Sequence, residues 1–157
     1  MKFAEFVCRD AVTTGMSSSD RDGVIGELVD ALVAAGAVSN DHRNSVLAAT
    51  IAREELGTTG IGHGVAIPHA KHPAVKQVVA TVGVSDHGID FGSLDSRPTR
   101  VFFLLISPPD APQDHLQALE TISKHLQEEL FREFLIQAQT CNAIHDVLDE
   151  ADQANPA

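Results

Sequence analysis

The sequence predicts an α/β fold, a single domain in which a central mixed β-sheet is flanked by helices on both sides. Three observations predict it. Segments with apolar residues at helical spacing alternate along the chain with β-branched, extended ones, as layered α/β architectures require. The run Val101–Ile106, VFFLLI, is apolar at every position, the pattern of a strand covered on both faces. With 157 residues, 43% of them hydrophobic, the chain can bury one core without disulfides or metal. The domain is assigned to residues 1–150, and the polar residues 151–157 to a flexible C-terminal tail.

Ser17 to Ser19 precede a stretch in which Val24, Ile25, Leu28, Val29, Leu32 and Val33 fall at helical spacing, stopping near Gly36. Ser39 or Asn40 can cap a second helix carrying Val46, Leu47 and Ile51, which should end near Leu56 with Gly57 as its C-terminal cap. Arg53 lies in its last turn. Val78–Val84 and Val101–Ile106 read as strands, separated by the turn-rich segment His87 to Pro98. Asp110 followed by Gln113 has the form of a capping box, and Pro112 suits the first turn of a long helix. Its expected stripe is Leu116, Leu119, Ile122, Leu126 and Leu130. Helical pattern continues through Phe131, Phe134 and Leu135, before a last short helix near Ala143–Leu148.

The chemistry concentrates in Gly60–Lys71, GIGHGVAIPHAK. Its three glycines make a poor helix, Val65 to Ile67 form a short extended run, and Pro68 biases Ile67 away from helix. His69 therefore comes off a stiff strand end, and an imidazole so presented can act as nucleophile, base or metal ligand near neutral pH. His115 falls just after the N-terminus of the long helix, which follows a buried strand in the manner of a ligand-binding crevice. Free N–H groups and the helix dipole there favour an anion and disfavour imidazolium, which keeps His115 neutral and able to donate one hydrogen bond. An arginine, a nucleophilic histidine and a donor histidine, here Arg53, His69 and His115, suit phosphoryl transfer, which needs positioning and charge stabilisation above all. From spacing alone, His115 reads first as a helix-surface residue, and Arg53 first as a solvated helix end. His42, His87, His125 and His145 sit among polar positions and read as solvated, as do the acidic pairs Glu54–Glu55 and Glu128–Glu129.

Twenty-two acidic against 11 basic residues give a net charge of -11, a surface that suits nucleic acid poorly. Cys8 and Cys141 have no CxxC partner or metal-ligand spacing and read as reduced thiols of a cytoplasmic protein. Glu5, Arg9 and Asp10 interrupt any signal-peptide core, and no apolar run approaches a membrane span. Two other classes of function are open: a metal site built from His63, His69, His72 and His115, or a non-catalytic interaction module in which the glycine loop shapes a docking surface. Against the first, no cysteine or carboxylate stands at suitable spacing and the histidine run matches no common zinc pattern, so neither metal nor other cofactor is expected.

The run REELGTTGIGHGVAIPHAK, Arg53 to Lys71, resembles the active-site signature of the fructose/mannitol-type enzyme IIA domains of the bacterial phosphoenolpyruvate-dependent phosphotransferase system. The matching positions are Leu56, Gly57, Ala66, Ile67, Pro68, His69 and Ala70. Similarity continues through GIDFGSLDSRPTRVFFLLISPPD and HLQALETISKHL, so it covers nearly the whole chain. The resemblance implies that His69 accepts a phosphoryl group from the histidine-containing phosphocarrier protein, assisted by His115 and Arg53. It implies onward transfer to a IIB domain or regulation of target proteins. TGIG and IDFGSLDSRP lie nearest the nitrogen-regulatory branch, with stand-alone fructose-type domains next. One departure is His63, where related sequences commonly have a small amide.

Overall fold

Alternation along one strand builds both halves of the molecule. A computed structural model describes residues 1–154. Strand β5, Thr99–Ser107, runs through the middle of a mixed five-stranded sheet. Successive side chains of a strand point to opposite faces. Val101, Phe103 and Leu105 accordingly enter one core with Ile122, Leu126, Leu135 and Ile144, while Phe102, Leu104 and Ile106 enter another with Ile25, Leu28, Leu32 and Val46. The continuous apolar run is thus a strand covered twice, by α2 (Arg21–Ala34) and α3 (Arg43–Leu56) on one side and by α1 (Phe3–Phe6), α4 (Pro112–Leu126), α5 (Glu129–Gln137) and α6 (Cys141–Ala154) on the other.

On one edge of β5, the antiparallel β4 (Val79–Ile89) pairs along most of its length, with an irregularity between Val84 and Ile89. The strand therefore runs on into the segment that reads as turn-rich from His87. Gly83 is where β4 passes α2: a Cβ there would lie 2.7 Å from Leu28 and 2.8 Å from Met16. On the other edge lie two short parallel strands, β2 (Val65–Ala66) and β3 (His69–Lys71). They keep the same register against β5, Val65 opposite Val101 and His69 opposite Leu105, so they form one strand interrupted at Ile67–Pro68. Proline has no N–H to give the ladder, yet the Pro68 carbonyl still accepts from Leu105 N at 3.0 Å. The glycine loop contributes a strand of its own, β1 (Gly60–Gly62), antiparallel to β2.

Several expected details differ. Asp110 does not cap α4; its N-cap is Ala111, with Pro112 in the first turn. Ser39 caps a 3-10 turn, Asn40–His42, that precedes α3 rather than α3 itself. The long helix stops at Leu126, and its buried face is His115, Ala118, Ile122, His125 and Leu126, which leaves Leu116 and Leu130 exposed. His125 is buried rather than solvated, 4.9 Å between ring centres from Phe3, with Nδ1 donating to the Thr121 carbonyl at 2.9 Å. The last helix extends to Ala154, beyond where the tail is expected to begin. Its Asp149 pairs with Arg9, and its Asp152 accepts from the N–H groups of Phe3 and Ala4. Residues 155–157 of the expected tail lie outside the described residues. Among the described residues, no helix is long and apolar enough to cross a membrane.

Candidate active site

His69 stands at the start of β3 with Val65 and Ile67 four and two residues before it, and those two belong to the core beneath α4. The two-residue period therefore sends His69 toward that helix. His115, in the first turns of α4, meets it with ring centres 5.5 Å apart. Arg53 approaches from α3, and the three residues line a cleft of ≈390 Å³ together with Ala49, Ala70 and Lys71.

Each imidazole is held by one nitrogen. His69 Nδ1 lies 2.7 Å from the Ile67 carbonyl; a carbonyl only accepts, so Nδ1 carries the proton and Nε2 keeps a free lone pair. The carbonyl is itself anchored through a relay. Buried Glu54 accepts from Thr59 N and Thr59 Oγ1, both at 2.6 Å, and the Thr59 carbonyl accepts from Ile67 N at 3.1 Å. Glu54 is therefore a structural clamp for the loop rather than part of a solvated helix face, while its neighbour Glu55 is exposed. His115 Nδ1 lies 2.5 Å from Ser107 Oγ, and both residues are buried.

Burial pushes the pKa of His69 below its ordinary value, and the positive charge of Arg53 adds to this against the opposing pull of the Ile67 carbonyl and Glu54. His115 is pushed down to about 4, first by burial, then by the charges of His69 and Lys71. Both rings are neutral at pH 7. The neutrality expected of His115 is present, with burial as its main cause. His115 is not an ordinary helix-surface residue, and Arg53, half-buried with Nη1 donating to the Gly57 carbonyl at 2.9 Å, is tethered to the loop at the helix end.

Lys71 and Ser107 are the residues that sequence reasoning passed over. Lys71 shares the His69 face of β3 two residues on, and Ser107 is its register partner on β5. His63 is elsewhere, exposed in the turn between β1 and β2 with φ 58°, its N–H donating to Asp95 at 3.0 Å. Histidine and the small amides are among the side chains that adopt that left-handed backbone more readily than most. His72 Nδ1 accepts from Ala74 N. Among the described residues, no three His, Cys, Asp or Glu side chains gather so as to hold a metal ion.

Residues 5–151 match the family model of the phosphoenolpyruvate-dependent sugar phosphotransferase system, EIIA 2. The chain belongs to this EIIA family. Membership makes it a phosphoryl-carrier domain in type. The fructose-specific EIIA component of Haloferax volcanii is 39% identical over 83% of both chains. A nitrogen regulatory protein of Bradyrhizobium diazoefficiens is 31% identical over 94% of this chain and 95% of its own. The fructose-specific EIIABC component of Bacillus subtilis is 33% identical over 98% of this chain, which spans only 24% of that longer protein. Among solved structures, nitrogen regulatory protein IIA-Ntr from Neisseria meningitidis superposes with a TM-score of 0.83 at 26% identity, covering 93% of this chain and 98% of that one. IIA mannitol of Escherichia coli, at 19% identity and a TM-score of 0.72 over 88% and 96%, shares the fold.

Proposed function

We propose that this EIIA domain takes a phosphoryl group from the histidine-containing phosphocarrier protein onto Nε2 of His69. The observation that carries the reading is the hydrogen bond from His69 Nδ1 to the Ile67 carbonyl, which leaves the Nε2 lone pair free inside a cleft that also holds Arg53 and His115. As the Nε2–P bond forms, the N–P bond of the donor imidazole breaks, and no proton needs to move. The phosphorylated ring keeps its Nδ1–H on Ile67. The positive character that the ring then shares makes it a good leaving group for the next transfer. Arg53 offsets the phosphoryl charge that an acidic chain otherwise repels, and a neutral His115 donates to a phosphoryl oxygen. A cytoplasmic location goes with this reading.

The test is to offer the protein phosphoenolpyruvate and the phosphocarrier pair and to follow intact mass. One phosphoryl group should be gained, stable to base and lost in acid as a phosphoramidate is, and His69→Ala should gain none. A mutant that gains the same mass displaces the nucleophile elsewhere; a wild type that gains nothing points to the interaction module instead.

Two onward fates draw on different relatives, one named as a multi-part fructose component and the other as a nitrogen regulatory protein. Adding a fructose-type IIB domain separates them. Drain of the label from the chain supports transfer; retention supports a regulatory carrier.

A further inference from the structure

Ser107 ends β5 with its side chain fully buried. Its carbonyl accepts from His72 N at 2.8 Å and its backbone pairs with Lys71, so the residue is held in place by the strand that carries His69. Its Oγ makes one hydrogen bond among the described residues, the 2.5 Å contact with His115 Nδ1. A hydroxyl has one proton to donate, and a fully buried one has no water to give it to. The acceptor in reach is His115 Nδ1.

We infer that Ser107 is a positioning residue whose hydroxyl donates to His115 Nδ1, fixing that ring as the Nε2–H tautomer with the N–H turned into the cleft beside His69. The opposite assignment, Nδ1–H donating to Oγ, leaves the hydroxyl proton buried without an acceptor. It also turns a lone pair of His115 toward phosphoryl oxygens. The two histidines thereby become complementary. His69 is fixed by a carbonyl, which makes its outer nitrogen a nucleophile; His115 is fixed by a hydroxyl, which makes its outer nitrogen a donor. The consequence for rate rests on the phosphoryl-carrier reading, whereas the tautomer does not.

Two measurements decide it. Long-range proton–nitrogen correlation spectra of ¹⁵N-labelled protein near neutral pH should show His115 as the Nε2–H tautomer and His69 as the Nδ1–H tautomer. Ser107→Ala should abolish the fixed pattern for His115 and leave that of His69, while Ser107→Thr, which keeps the hydroxyl, should retain both. In phosphotransfer from the phosphorylated carrier, Ser107→Ala should lower kcat on the order of 10-fold, as loss of a supporting hydrogen bond does, with KM little changed, and Ser107→Thr should recover most of it. A wild-type His115 found as the Nδ1–H tautomer overturns the inference without any variant, and so does a Ser107→Ala protein with wild-type spectra and rate. The spectra need no phosphoryl donor, so if the carrier reading fails they still decide the tautomer by themselves.

Discussion

Two clefts lie toward opposite ends of β5, and the larger, more highly charged one is the less suited to chemistry. Near its N-terminal end, ≈540 Å³ is lined by His63, His87, Arg97, Arg100 and Arg132 together with three acidic residues. Near its C-terminal end, ≈390 Å³ holds His69, His115, Arg53 and Lys71. In the first cleft both histidines are exposed, and two of the guanidiniums donate to backbone carbonyls, Arg100 to Ser85 and Arg132 to Leu126. In the second, each histidine is bound at Nδ1 and is held neutral by burial. The number of charged groups does not make the difference. Water leaves an exposed ring free to exchange tautomers and to orient itself, whereas a buried ring with one partner presents a single nitrogen in a single direction.

The sharpest test of that contrast exchanges one histidine from each cleft. His115→Ala should slow phosphoryl acceptance on the order of 10²-fold, the effect of losing one preorganised donor, while still gaining the full mass at long times. His63→Asn should accept phosphate at the wild-type rate. Equal rates for His115→Ala and wild type would erase the distinction between the clefts.

A smaller effect is expected at the guanidinium. Arg53→Lys keeps the charge but loses the fork that can hold the Gly57 carbonyl and phosphoryl oxygens together, so the rate of acceptance or the lifetime of the phosphorylated form should fall on the order of 10-fold. Lys71→Ala should cost less, because Lys71 is exposed and screened. Time courses at low and moderate salt check both. If Arg53→Lys matches wild type at both salt levels, the site shrinks to the two histidines.

An effect of a different kind, on stability rather than rate, checks that burial holds His115 neutral. An unfolded chain takes up a proton on each of these histidines as pH falls through about 6.5, while the folded chain resists until its lowered value, about 4 for His115. Between those limits the unfolded state binds more protons, so stability falls as the pH is lowered from 6.5 toward 4. His115 should account for a loss on the order of 3 kcal/mol across that window, and His69 adds to it in the same direction. Urea denaturation at both limits should show a smaller drop for His115→Gln than for wild type. Equal drops would mean that the folded protein does not keep this ring neutral.

The elements that read true are those whose pattern is local and strong. The VFFLLI strand is buried on both faces because every position is apolar, and α2 follows its regular apolar spacing. The long helix was harder. Its five-residue leucine and isoleucine stripe is chemically plausible, yet Leu116 and Leu130 face solvent while His115 and His125 face inward. An imidazole beside Phe3 and Phe131, or against a serine, is an acceptable buried residue, and no periodicity of apolar residues can find it. Glu54 escaped for the same reason. Its burial is tolerable because Thr59 supplies two donors, and that partner lies across a turn that the helical pattern does not describe.

By itself the sequence determined the fold class, the placement of His69 directly after the glycines and Pro68, and, through the run Arg53 to Lys71, the family. These follow from residue type at short range, where backbone preference and spacing act directly. Only the tertiary structure decided which nitrogen of each histidine faces the cleft. That depends on a carbonyl fixed by the Glu54–Thr59–Ile67 relay and on a hydroxyl delivered by the register of β3 with β5. A tautomer is set by whichever partner stands within about 3 Å of a ring nitrogen, and it is the folding of distant segments onto one another that brings the partner there.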